Sequence, residues 1–310
     1  MKTAIVDGTT NNDRLPREIL IVSPDDGKQI KGVVQLIHGM AEHKERYLPF
    51  MEFLAENGYV AAIHDIRGHG KSVKDDSDYG YFYKNGARKI IEDVHDVTEE
   101  LKEMYGEETP YVLFGHSMGS LIARCYIKQY DFELDGVILS GSPSENKALP
   151  AARAIATAIG TFKGERYRSK FLNNLSFGSY AKDTEDRKTD FDWLSHDEKV
   201  VQDYIDNPLD GFMFTINGYL GLFNLLEWTY SLSGYVMRNP DMKIHFVSGE
   251  EDPCMVSEKA FMEAVERPQH AGYQNVTYKL YPGMRHEILN EVDKQTVYDD
   301  LLEIINEWSK

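Results

Sequence analysis

Two cysteines in 310 residues, Cys125 and Cys254, are too few for a disulfide framework, and they lack the Cys-x-x-Cys spacing of zinc or redox sites. That usage fits a reducing compartment, and a cytoplasmic location is the expectation. Positive charge is scarce too: 34 lysines and arginines stand against 51 aspartates and glutamates, a formal charge of −17. Such a chain repels phosphate backbones on average, so no nucleic-acid partner is expected. Long apolar runs are missing. Residues 1–12 hold no continuous apolar segment of signal-peptide length. The most apolar later stretch, 211–228, is interrupted by Thr215, Asn217, Asn224 and Glu227, which argues against a transmembrane segment.

What is present is enough apolar material for a large core, with 42% hydrophobic residues of which many are aromatic. Short β-branched and aliphatic runs alternate with longer helical patterns, the rhythm of an α/β fold with a mostly parallel central sheet flanked by helices. Strands are predicted at 18–22, 32–37, 59–64, 111–114, 137–140, 244–248 and 276–281. The first two flank Ser23-Pro24-Asp25-Asp26-Gly27 and read as a β-hairpin. Helices at 47–57 and 87–105 each close on a glycine, Gly58 and Gly106.

The region 143–240 breaks this rhythm. An alanine-rich helix at 149–162 is followed by a basic and polar stretch to Tyr180. Ser195 with Glu198 then reads as a capping box opening a helix that ends before Asn207-Pro208, and 211–228 is an apolar segment of helical length. A helical cap at 143–240, inserted into a core formed by 1–142 and 241–310, is the expected organisation.

Gly115-His116-Ser117-Met118-Gly119 is a G-x-S-x-G motif lying between an apolar strand and a helical pattern. That setting matters more than the motif, because a nucleophile elbow needs a sharp strand-to-helix turn that lifts its serine above the sheet. A serine hydroxyl is a weak nucleophile and requires a base oriented by a carboxylate, and in this setting the chain order is serine, acid, histidine. The loop after strand 244–248 offers Glu250, Glu251 and Asp252 as the acid. The loop after strand 276–281 offers His286, 34 residues beyond Asp252, as the base. His38 and His116 also fall near the inferred site, at strand-end turns. Stabilising an oxyanion takes backbone N–H groups: that of Met118, following the nucleophile, and that of Met40 in the loop after strand 32–37.

These residues coincide with a known family. The chain resembles the monoacylglycerol lipase and lysophospholipase-like branch of the α/β-hydrolases, also labelled serine aminopeptidase-like. The resemblance runs nearly end to end and is carried by His38-Gly39-Met40-Ala41-Glu42-His43 with Arg46-Tyr47, by Asp65-Ile66-Arg67-Gly68-His69-Gly70-Lys71-Ser72, by the G-x-S-x-G block, and by the Asp252 and His286 loops. It implies an α/β-hydrolase fold with a helical cap, and a triad of Ser117, Asp252 and His286. It also implies an oxyanion hole at the Met40 and Met118 amides, and hydrolysis of fatty-acid carboxylic esters through an acyl-enzyme, with no metal or organic cofactor. Among the acids it selects Asp252.

The block 65–72 reads mainly as a structural loop. Leu149, Ile155, Ile159, Phe162, Phe171, Phe177, Phe212, Phe214, Leu220, Phe223, Leu225 and Trp228 offer either an acyl-chain tunnel in the cap or a seal between cap and sheet, and Arg166 and Arg168 either contact a phosphate-bearing head group or are simply solvated. Two rivals remain. A prolyl aminopeptidase-like enzyme would use cap carboxylates such as Asp183, Glu185, Asp186 and Asp190 for the substrate ammonium, but such enzymes usually carry His-Gly-Gly-Pro-Gly where 38–42 reads His-Gly-Met-Ala-Glu. A catalytically silent binding module on the same fold would be signalled by loss of a triad member.

Overall fold

The computed structural model describes residues 1–182, 184 and 187–310, without the side chains of Phe177, Ser179, Ala181 and Lys182. The chain begins with β1 (Lys2–Thr9), β2 (Pro16–Ser23), β3 (Gly32–Ile37), α1 (Leu48–Glu56), β4 (Tyr59–His64) and α2 (Gly86–Tyr105). It continues through β5 (Tyr111–His116), α3 (Met118–Tyr130) and β6 (Gly136–Ser140). Four helices follow, α4 (Leu149–Lys163), α5 (Lys170–Lys182), α6 (Glu198–Asp206) and α7 (Ile216–Tyr230). The last elements are β7 (Lys243–Gly249), α8 (Glu258–Ala271), β8 (Asn275–Tyr281) and α9 (Lys294–Trp308). The strands form one sheet in the order β1-β2-β4-β3-β5-β6-β7-β8, parallel from β4 to β8.

Alternation along the strands divides the core in two. Val33 and Ile37 pack with α2, α3 and α8 on one face, while Val34 and Leu36 pack with α1 and α9 on the other. Each such side chain withdrawn from water contributes about 1.5–3 kcal/mol. The exception in β3 is Gln35, which is buried and fully engaged: its amide donates to the Val94 carbonyl at 3.1 Å and its oxygen accepts from Thr98 and Tyr111.

Two local expectations need correction, and two elements, β1 and α5, were not anticipated. The runs around Ser23–Gly27 do not form a hairpin. Both edges of β3 are occupied by parallel neighbours, β4 and β5, so β2 instead pairs antiparallel with the outer edge of β4 and with β1. The strand β1 is exposed along nearly all its length and shows no apolar alternation to read. The polar stretch before Tyr180 is helical, α5, although its asparagines, serines and glycine are weak helix formers. Finally, α6 is capped by Asp197, whose carboxylate accepts from the Lys199 and Val200 amides, whereas Ser195 accepts from the Asp197 amide and donates to the Asn290 carbonyl. Among the described residues, no helix is long and apolar enough to cross a membrane.

The parallel register brings the carboxyl ends of β3, β5, β6, β7 and β8 to one rim, with Ile37 beside Gly115, His116 beside Ser140 and Gly249 beside Tyr281. The loops leaving that rim carry every candidate site residue.

Candidate active site

Ser117 lies between β5 and α3 with φ 53° and ψ −117°, a conformation that costs a non-glycine residue about 1–3 kcal/mol. Its amide is anchored to the Ser140 carbonyl at 2.8 Å. The turn is possible because the residues around it approach their neighbours without side chains. A Cβ on Gly119 would sit 2.1 Å from the Ile37 carbonyl oxygen, and one on Gly115 would sit 2.4 Å from that of Gly119. The motif glycines are therefore dictated by close backbone contact.

Asp252 and His286 are buried and joined, Oδ2 to Nδ1, at 2.9 Å. The carboxylate also accepts from the Cys254 amide at 2.8 Å and the Ser248 hydroxyl at 3.0 Å. Burial alone would raise the Asp252 pKa, but the neighbouring His286 and these hydrogen bonds hold it below the usual carboxylate range. Burial alone would lower His286, but the Asp252 charge, with Cys254 beside it, lifts the imidazole well above its ordinary value. With Nδ1–H donated to Asp252, Nε2 is the basic nitrogen, and His286 lines the same cavity as Ser117. Glu250 and Glu251, the other acids of the loop, are exposed, and Glu251 pairs with His196 at 3.2 Å.

The competing histidines are occupied elsewhere. His38 donates Nδ1–H to the Gly39 carbonyl and accepts from the Ile66 amide at Nε2, each at 2.8 Å. His116 lies 4.7 Å, ring to ring, from His286, and burial together with that neighbour pushes its pKa down to about 4.

The loop after β3 is held peptide by peptide. The Gly39 amide donates to Glu42, the Ala41 amide donates to His69 Nε2 at 3.1 Å, and the Ala41 carbonyl accepts from Tyr204 and the Gly211 amide, both at 2.9 Å. Among the described residues, the Met40 amide between them donates to no acceptor, and the Met118 amide at the start of α3 is likewise unengaged. Those are the two N–H groups that the spacing singles out as donors. His69 is suited to its part: Nδ1–H goes to the Arg67 carbonyl at 3.0 Å, and burial holds its pKa down to about 3, so Nε2 stays an acceptor.

A second tie was not legible in sequence. Arg46 grips Glu287 with two bonds of 2.7 and 2.8 Å and reaches Glu42 at 2.6 Å, while the Tyr47 hydroxyl donates to Glu42 at 2.9 Å. This buried chain links the loop after β3 to the residue following His286.

The cavity over Ser117 has a volume of about 600 Å³. Leu149, Ile155, Phe212 and Phe223 of the predicted tunnel residues line it, joined by Leu222 and Leu226. Ile159, Phe214, Leu220 and Leu225 do not line it and pack into the core instead, Phe162, Phe171 and Trp228 are exposed outside it, and Phe177 lies among the side chains not described. Arg166 and Arg168 do not line it. Arg166 pairs with Asp78 and lies over the Tyr81 ring, and Arg168 donates to the Met213, Ser77 and Tyr79 carbonyls, so both fasten the segment after α4 to the loop before α2.

A family model described as "Serine aminopeptidase, S33" matches residues 28–293. The chain belongs to this family. Within its reach, the chain is 26% identical to a monoacylglycerol lipase of Mycolicibacterium smegmatis over 87% of its own length and 86% of that protein's. It is 22% identical to phospholipase YtpA of Bacillus subtilis, with 86% and 92% covered. A thermostable carboxyl esterase from Bacillus coagulans, solved in complex with glycerol, superposes with a TM-score of 0.87 at 26% identity, with all of both chains covered. The resemblance read from the sequence is borne out, as is the α/β-hydrolase fold.

Proposed function

We propose that the protein hydrolyses carboxylic esters of fatty acids through an acyl-enzyme, with monoacylglycerols or lysophospholipids as the substrate class. In this reading Ser117 Oγ attacks the ester carbonyl while His286 Nε2 takes its proton, and the oxyanion forms between the Met40 and Met118 amides. Each such donor is worth about 3 kcal/mol to the transition state. The imidazolium then protonates the departing alcohol, and water activated by the same nitrogen releases the acid. Asp252 fixes the ring and balances its charge. The segment 143–240 serves as a cap whose apolar lining receives the acyl chain.

The observation that carries the reading is the buried Asp252–His286 pair opening, with the strained Ser117, into one largely apolar cavity. The relatives named as lipase, phospholipase and esterase support the ester and lipid parts. A cytoplasmic location accords with two free cysteines, and the charge of −17 with the absence of a nucleic-acid partner. The test is a set of initial rates on a monoacylglycerol, a lysophospholipid of the same chain and a proline arylamide. Leading rates on either lipid uphold the reading, and a leading arylamide would replace it with an aminopeptidase. For the aminopeptidase, Asp190 is ion-paired with Arg187, while Asp183, Glu185 and Asp186 lie outside the described residues.

Two further results are expected. Ala152 lines the cavity, so Ala152→Trp fills acyl space. With about 0.8 kcal/mol per buried methylene, losing room for three or four of them lowers kcat/KM on long-chain esters about 60- to 200-fold while short-chain esters change little. His69→Ala releases the Ala41 amide and loosens the donor beside it, so kcat falls about 10- to 100-fold with KM nearly constant. Steady-state kinetics across a chain-length series check both, and a KM effect alone at His69 would remove its positioning role.

A further inference from the structure

We propose that Cys254 and His286 form a binding site for a soft divalent cation, zinc or cadmium, whose occupancy switches off the hydrolysis. The inhibitory part rests on the reading above; the binding part does not. Among the described residues, Asp252, Cys254 and His286 are the group whose ligating atoms all lie within 4.8 Å of one another. Cys254 Sγ is 3.9 Å from His286 Nε2, the ring nitrogen that is not bonded to Asp252. A zinc–nitrogen bond of about 2.0–2.1 Å and a zinc–sulfur bond of about 2.3 Å span that gap at an angle of roughly 125–130°, so a shift of a few tenths of an ångström by either side chain brings the pair to tetrahedral geometry.

The environment supplies the rest of a metal site. A ligating histidine characteristically donates its other N–H to a carboxylate, which fixes the ring and raises its basicity, and Asp252 already does this to Nδ1. Cys254 and His286 both line the cavity above Ser117, so a cation and its remaining water ligands can enter by the route the substrate takes. A thiolate–imidazole pair selects zinc or cadmium over magnesium or calcium. On binding, the thiol gives its proton to solvent and its sulfur lone pair to the cation, and Nε2, releasing to solvent any proton it carries, donates the lone pair that would otherwise accept the Ser117 proton. Occupancy and proton transfer are thus mutually exclusive.

The test compares the wild type with Cys254→Ala and Cys254→Ser, each judged against its own metal-free rate on a short acyl ester, with circular dichroism to establish folding. Zinc, cadmium and magnesium chlorides are titrated, bound zinc per chain is counted by equilibrium dialysis, and thiolate–cadmium charge-transfer absorption is followed. One zinc per chain, inhibition reversed by EDTA, no effect of magnesium, and a rise of about 10- to 100-fold in the zinc needed by both variants support the site. Equal zinc sensitivity in wild type and variants, or a missing cadmium–thiolate band, overturns it. Cysteine-dependent zinc uptake by a protein with no esterase activity would support the cation site while removing the esterase reading.

Discussion

Ser117→Ala lowers kcat by about 10⁶-fold on any ester the protein accepts, leaving only the catalysis supplied by binding and the oxyanion donors. The size follows from the chemistry: no other side chain occupies the elbow between β5 and α3, and without the hydroxyl there is no acyl-enzyme to form. Alanine also keeps the backbone demand of φ 53°, so the folded state is retained and the loss reports chemistry rather than stability. A fluorophosphonate probe provides the independent readout. The wild type is labelled and the variant is not; labelling that survives the substitution would place the nucleophile elsewhere.

Asp252→Asn is the second large effect, about 10⁴-fold in kcat, because an amide at that position can present its NH₂ to Nδ1 and favour the wrong tautomer. The pH profile adds a signed prediction. Turnover needs Nε2 unprotonated, so activity rises with pH through the His286 pKa. Burial opposes the charged ring, and the Asp252 carboxylate outweighs it, placing that limb above the ordinary histidine range in the wild type. With the carboxylate charge gone, burial dominates and the limb of the residual activity moves to lower pH. A limb that stays in place would mean that Asp252 does not set the His286 pKa.

What could be read from the sequence was what a short segment determines by itself. The strands β3 and β4 were legible to their ends because short, mostly apolar runs bounded by turn residues have few alternatives at that length. That Ser117, Asp252 and His286 come to one rim was legible because each sits in a strand-end loop, and parallel strands deliver such loops to the same edge of the sheet. Pairings between distant segments were not legible. Nothing local states that β2 joins β4 and not β3, since that depends on β3 having both edges filled. Nor does sequence reveal that His69 holds Ala41, or that Arg46 bonds Glu287 across 241 residues. Those residues stood inside the motif blocks that carried the family resemblance, but their work is to brace the loops, and only the fold brings the partners together. The two readings left open for Arg166 and Arg168 could not be separated in sequence for a related reason. An arginine near a site in sequence is indistinguishable from one that fastens two segments.

The most direct measurement is the mass of the protein quenched in acid during turnover of a long-chain chromogenic ester, followed by peptide mapping. The account predicts a single added acyl group located on Ser117, formed in a burst and lost as the free acid appears. Turnover at full rate with no adduct, or an adduct on another residue, would contradict it.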